Sequence, residues 1–143
     1  MEKKIFFDCD GTIADLYGKS DWLERLREFD PSPYRDARPL VNMSRLARLI
    51  HKAQRLGYTV GIISWLSRES NADYDEAVTA AKREWLRRHL PSVEWDEIHI
   101  TAYGVPKHEI GCGILFDDND GIRSEWGEGA YEPSKIFTVL ASL

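Results

Sequence analysis

Long apolar runs are missing from this chain. No stretch of its 143 residues is long and apolar enough to span a bilayer. The apolar stretch behind Met1-Glu2-Lys3-Lys4 is too short for a signal peptide. Cysteine is scarce, and the two present, Cys9 and Cys112, match no metal-binding or redox spacing. The histidines, His51, His89, His99 and His108, show no paired ligand spacing either. A block of basic residues is also absent. Net charge is −5, which weighs against a polyanion partner. Arg45, Arg48, Lys52 and Arg55 recur at three-to-four spacing, as on a solvated helix side. These absences predict a cytoplasmic protein in a reducing setting, with no membrane contact and no nucleic-acid partner. What remains is ordinary for a globular protein: 43% hydrophobic and 30% charged, enough in one domain for a real core.

Short apolar runs alternate with amphipathic ones. Residues 4–8, 58–63, 97–101 and 112–116 read as strands, with a weaker fifth at 127–131. They show no polar alternation, as expected of strands covered on both faces. Leu46, Leu49, Ile50, Ala53 and Leu56 form a helical stripe, capped by Asn42 or Ser44 and ended by Gly57. Tyr74, Ala77, Val78, Ala81 and Trp85 form another over 73–89, ended at Leu90-Pro91. A short helix is predicted at 122–126, and a last one opens at Pro133 with Ile136, Phe137 and Leu140 inward. The alternation implies an α/β domain over 1–143, with a central parallel sheet and helices on both faces. Residues 16–40 break the pattern. Asp21 and Glu24 fit a capping box, Trp22, Leu26 and Phe29 share a face, and Asp30-Pro31-Ser32-Pro33 stops that helix. The irregular, charged 34–39 follows. This segment reads as a small insert over the strand ends.

The chemistry concentrates in Asp8-Cys9-Asp10-Gly11-Thr12, just past the first strand. Two carboxylates two residues apart repel unless a cation or shared proton compensates. Ligands in parallel sheets bind beyond the carboxyl ends of the strands. Asp8, Asp10, Ser64, Asp117 and Asp118 all fall at such ends. The set suits a divalent metal and a transferring phosphoryl group. Mg²⁺ takes hard oxygen ligands and neutralises phosphate charge. Asp8 is then the nucleophile, and Asp10 the acid that protonates the leaving oxygen and later activates water. Asp117 and Asp118 are the further metal candidates. Ser64, with a backbone N–H at Trp65, would hold phosphoryl oxygens, and Lys107 would add a fixed positive charge. Trp22, Phe29, Tyr34 and Trp65 could stack on a base, but packing of the insert is the favoured reading, because aromatic stripes usually serve cores. If Asp8 and Asp117 meet at one metal, Cys9 and Cys112 lie about 20 Å apart along the strands. A disulfide needs Cα atoms within about 7 Å. Both thiols are therefore expected to be free.

At these residues the chain resembles the haloacid dehalogenase superfamily of aspartate-nucleophile phosphotransferases. Asp8-Cys9-Asp10-Gly11-Thr12 looks like its first motif, Ser64 its second, Lys107 its third, and Ile114-Leu115-Phe116-Asp117-Asp118 its fourth. The resemblance implies a Rossmann-like three-layer fold with a minimal cap at about 16–40. It also implies a Mg²⁺-dependent phosphatase working through an aspartyl-phosphate. Asp10 would then meet the metal through its backbone carbonyl. The longer match through Ile13-Ala14-Asp15-Leu16 is similar to the 5′(3′)-deoxyribonucleotidase branch, whose cap is larger. A nucleotide or small phosphometabolite is the expected substrate, and a homo-oligomer covering the site is compatible. Other readings stay open: a macromolecular phosphate as substrate, a phospho-accepting signalling domain, or a silent binding protein on this scaffold.

Overall fold

A computed structural model describes residues 2–18 and 20–143. In chain order it comprises β1 (Lys4–Phe7), β2 (Ala14–Asp15), α1 (Trp22–Arg27), α2 (Ser32–Asp36), β3 (Arg38–Pro39), α3 (Met43–Arg55) and β4 (Thr59–Trp65). There follow α4 (Ala72–His89), β5 (Glu97–Thr101), a 3-10 turn (Lys107–Glu109), β6 (Ile114–Phe116), α5 (Asp120–Trp126), β7 (Ala130–Tyr131), a second 3-10 turn (Pro133–Lys135) and α6 (Ile136–Ala141). Five strands form one sheet in the order β5-β4-β1-β6-β7. Every pairing in it is parallel. All five strands expected from the sequence are in it, and helices cover both faces.

Period-two alternation decides which residues meet which layer. Ile5, Phe7, Val60, Ile62, Ile114 and Phe116 pack with Leu46, Ile50 and Ala53 of α3, Trp85 and Leu86 of α4, and Ile136 and Leu140 of α6. Phe6, Ile63 and Leu115 point to the opposite face, where Ile110, Ile122 and Trp126 cover them. Full burial of such side chains contributes about 1.5–3 kcal/mol each. Strand β1 is central, with Ile5, Phe6 and Phe7 all at 0% exposure. β4 lies on one side of it and β6 on the other, so the crevice where the strand order diverges opens directly above β1.

The 16–40 insert has more structure than its sequence announced. β2 and β3 pair antiparallel, Ala14 with Pro39 and Asp15 with Arg38, and this ribbon ties both ends of the insert together. α1 ends at Arg27, ahead of the expected stop at Asp30-Pro31-Ser32-Pro33: Phe29, expected on its apolar face, lies past its end with φ at 58°, and the prolines open α2, because proline suits the first turn of a helix. The expected capping box at Asp21 does not form: Asp21 makes no side-chain cap bond, and its carboxylate takes Arg25 Nε at 2.6 Å. Asn42, Asn71 and Asn119 cap α3, α4 and α5, each accepting a backbone N–H from three residues ahead. β4 runs two residues beyond Ile63, because Ser64 and Trp65 pair with Ile100 and Thr101 of β5. Cys9 is buried, Cys112 is exposed, and both are free. Among the described residues no helix is long and apolar enough to cross a membrane.

Candidate active site

The chain leaves β1 with one more ladder bond, from the Asp8 N–H to the Phe116 carbonyl at 2.9 Å. It then turns sharply over 9–14, where the Cys9 carbonyl accepts from the N–H groups of Thr12, Ile13 and Ala14. Gly11 makes this turn possible. Its φ is +80°, and a Cβ there would lie 2.3 Å from Asp118 Oδ2. No other residue allows the first and fourth motif segments to approach so closely.

Thr12 joins those segments. Its hydroxyl oxygen accepts the Asp118 N–H at 3.2 Å and lies 3.3 Å from both Asp8 Oδ2 and Asp118 Oδ1. Lys107, only 3% exposed, reaches in from the 3-10 turn. Its ammonium donates to Asp8 Oδ1 at 3.0 Å and to Asp117 Oδ2 at 2.7 Å. The Asn119 N–H holds the other oxygen of Asp117 at 3.0 Å. Arg123 braces the same segment through the Asp117 carbonyl.

One oxygen each of Asp8, Asp117 and Asp118 lies within 4.8 Å of the others. These are hard oxygen donors, two of the three residues are buried, and among the described residues the ammoniums paired with Asp8, Asp10 and Asp117 are those of Lys82 and Lys107. The formal excess is two negative charges, which is what a divalent cation neutralises. The donor set therefore fits a divalent cation such as Mg²⁺, which Asp8, Asp117 and Asp118 would hold. Asp120, by contrast, is exposed and paired with Arg123.

Burial, and then the Asp8 charge, push the Asp117 carboxyl up to about 6 and that of Asp118 up to about 7. Burial also raises Asp10, against the pull of Lys82. Burial alone would lower Lys107, but the charges of Asp8 and Asp117 hold it above its usual range. Burial pushes the Cys9 thiol up to about 12, so it is no nucleophile beside Asp8. Folded values above the unfolded ones mean that Asp117 and Asp118 favour the fold fully only below about pH 4. Their contribution is lost as pH rises through about 6 to 7. A cation that needs both groups ionised reverses this. The rise in Tm produced by Mg²⁺ should thus be larger at about pH 8 than at about pH 5. Equal shifts in thermal melts at the two values would place the ion elsewhere.

A cavity of about 400 Å³ opens above these groups. Asp8, Asp10, Asp117, Asp118 and Lys107 form its floor, and Tyr17, Trp22, Leu23, Tyr34, Trp65 and Tyr103 are among its walls. Trp65, expected to present a backbone N–H to phosphate, lines the cavity, with its ring centroid 5.6 Å from Lys107 Nζ. It donates Nε1–H to the Val105 carbonyl and packs on Tyr103 at 4.9 Å. Phe29 stays outside, against Tyr74. His108 is also outside, 3.7 Å from Glu125.

Ser64 departs from expectation. It is fully buried and does not line the cavity, since it shares its strand face with Val60 and Ile62 and so points toward α4. There its Oγ accepts from Lys82 Nζ at 2.7 Å. Lys82 is the functional candidate that sequence reasoning missed. It is 2% exposed and also donates to Asp10 Oδ2 at 2.9 Å and to the Trp65 carbonyl at 2.7 Å. A signal was present: position 82 follows Val78 by one helical turn, which puts a lysine in the apolar stripe of α4.

No protein-family model matches this chain, and no curated protein matches it. Among solved structures, it is similar to D,D-heptose 1,7-bisphosphate phosphatase from Burkholderia thailandensis, with a TM-score of 0.55 and 11% identity. That match covers 99% of this chain and 97% of the other. The central parallel five-stranded sheet between helical layers is thus the Rossmann-like fold of haloacid dehalogenase-like proteins.

Proposed function

We propose that this protein is a Mg²⁺-dependent phosphatase that hydrolyses a small phosphate monoester through an aspartyl-phosphate. The observation that carries the reading is the floor of the cavity. Three carboxylates converge within 4.8 Å there, and a buried lysine bridges two of them. A structural turn has no use for that concentration of buried charge. The shared fold with a bisphosphate phosphatase supports the same reading.

An Asp8 oxygen attacks phosphorus, and the bond from phosphorus to the ester oxygen breaks. Asp10 gives its proton to that departing oxygen. A water oxygen then attacks phosphorus, Asp10 takes up its proton, and the bond to Asp8 breaks to release phosphate and restore the Asp8 carboxylate and the protonated Asp10. Mg²⁺, when bound, neutralises phosphoryl charge and orients the group. Lys107 is suited to the phosphoryl oxygens. An ammonium has three hydrogens, and only two of these are engaged among the described residues.

The cavity is of metabolite size, and Trp22, Tyr34 and Trp65 offer aromatic surface to a leaving group. A nucleotide therefore belongs in the substrate panel with other phosphometabolites. Two unpaired thiols suit a reducing compartment, and we place the protein in the cytoplasm. The test is phosphate release from an aryl phosphate and a metabolite panel, with Mg²⁺ or with a chelator. Turnover is expected only with the metal. Chelator-resistant hydrolysis, or none on any substrate, would overturn the reading.

A further inference from the structure

Two buried lysines serve the Asp8–Asp10 pair, Lys107 on Asp8 and Lys82 on Asp10, and they are not equivalent. Lys107 lies on the cavity floor with one hydrogen unclaimed among the described residues. Lys82 lies behind the floor and has none to spare. Its three hydrogens go to Asp10 Oδ2, Ser64 Oγ and the Trp65 carbonyl, at 2.9, 2.7 and 2.7 Å. The ring of Tyr34 closes over it, 5.0 Å from Nζ. It cannot take a phosphoryl oxygen without abandoning a buried partner.

We propose that Lys82 is a positioning residue, which anchors one oxygen of Asp10 so that the other is presented to the leaving group and later to water. This role rests on the phosphatase reading above. Three observations support it. First, Asp10 is 13% exposed at the side chain and lines the cavity, while Oδ2 is turned back to Lys82. Only Oδ1 is left for substrate. Second, Lys82 is held from two fixed directions, the end of β4 and the face of α4, so its ammonium has little freedom to follow a moving carboxylate. Third, the partners explain why Ser64 is polar yet sealed from the cavity: its hydroxyl completes the ammonium shell, where an aliphatic side chain would leave one N–H unsatisfied.

The inference predicts a defect confined to proton transfer. Protonation of the departing oxygen matters most when the leaving group is a poor one, such as an alkyl alcohol, and least for a nitrophenolate. In Lys82→Gln, turnover of an alkyl phosphate should fall at least about tenfold more than turnover of p-nitrophenyl phosphate. Because both rates come from one preparation, their ratio is independent of the fraction folded. With the aryl ester, the slow step becomes attack by water. The denatured variant, quenched during turnover, should then carry a phosphoryl mass increment that the unaltered protein does not accumulate. Lys82→Arg keeps a cation and should recover part of the ratio.

Equal losses on the two esters with no trapped phosphoryl group would reduce Lys82 to a brace of the fold and overturn its positioning role. No Asp8-dependent turnover of either ester by the unaltered chain would overturn the phosphatase reading itself, and this role with it. The two failures are distinguished by the unaltered protein alone.

Discussion

Asp8→Asn should release phosphate from no substrate that the unaltered protein hydrolyses, a loss of at least about 10⁴-fold. The amide matches the carboxylate in shape and still offers its carbonyl oxygen to Lys107 or Thr12. It has lost the charge that makes the oxygen a nucleophile. Unfolding will not account for the result, because the substitution removes one negative charge from a site that carries two in excess. The metal-free variant should melt no lower than the unaltered protein at neutral pH. No phosphoryl group should appear on the denatured chain. Turnover surviving in Asp8→Asn would move the chemistry to direct attack by water and sink the covalent mechanism.

Lys107→Met carries the largest expected cost to the fold. The stem is replaced by a chain of similar reach, but Asp8 and Asp117 keep their buried charges without a cation between them. Breaking a buried pair from one side costs about 3–5 kcal/mol. In a protein of this size that is a fall in Tm on the order of 10 °C. The sign of its pH dependence follows from Asp117, whose carboxyl is pushed up to about 6 by burial and by the Asp8 charge. Below that value the carboxyl is neutral and needs no partner, so the penalty should shrink in mild acid and grow toward about pH 8. Saturating Mg²⁺ should restore part of the loss by supplying charge to the same oxygens. A melt unchanged by the substitution at about pH 8, without metal, would show that the two carboxylates are not buried together.

The sheet was legible because its strands are covered on both faces. Runs such as Ile5-Phe6-Phe7 and Ile114-Leu115-Phe116 have no polar residue to suggest another fate. The acidic residues were legible for the complementary reason, since carboxylates at the ends of buried strands have few structural uses. Local signals failed where a neighbour decides. β4 extends through Trp65 because β5 offers it partners, which no property of Ser64-Trp65 reveals. The prolines at 31 and 33 read as the stop of one helix, but that helix has already ended at Arg27; they start another, which packs against α4. Ser64 was assigned to phosphate from its place after an apolar run. Alternation along β4 sends it to the opposite side, toward Lys82. Lys82 itself was hidden by the habit of reading lysines as solvent-facing, although its helical position was available.

The roof of the cavity shares its foundation with the floor. Tyr74, Val78 and Ala81 of α4 pack against Leu16 and Tyr34 of the insert, while Trp85 and Leu86 of the same helix pack against the sheet. Trp85 also ties down the end of the insert through the Ala37 carbonyl at 2.7 Å. Among the described residues, one helix packs against both layers and a ribbon joins the two ends of the insert, so the insert is held to the sheet at its middle and at its ends. Substrate entry and product release in the proposed phosphatase are then expected to need no closing step of the insert. Selection among substrates is expected to fall to the outline of the cavity mouth, and reshaping Tyr17, Leu23 or Tyr103 at its rim is the direct way to widen or narrow it.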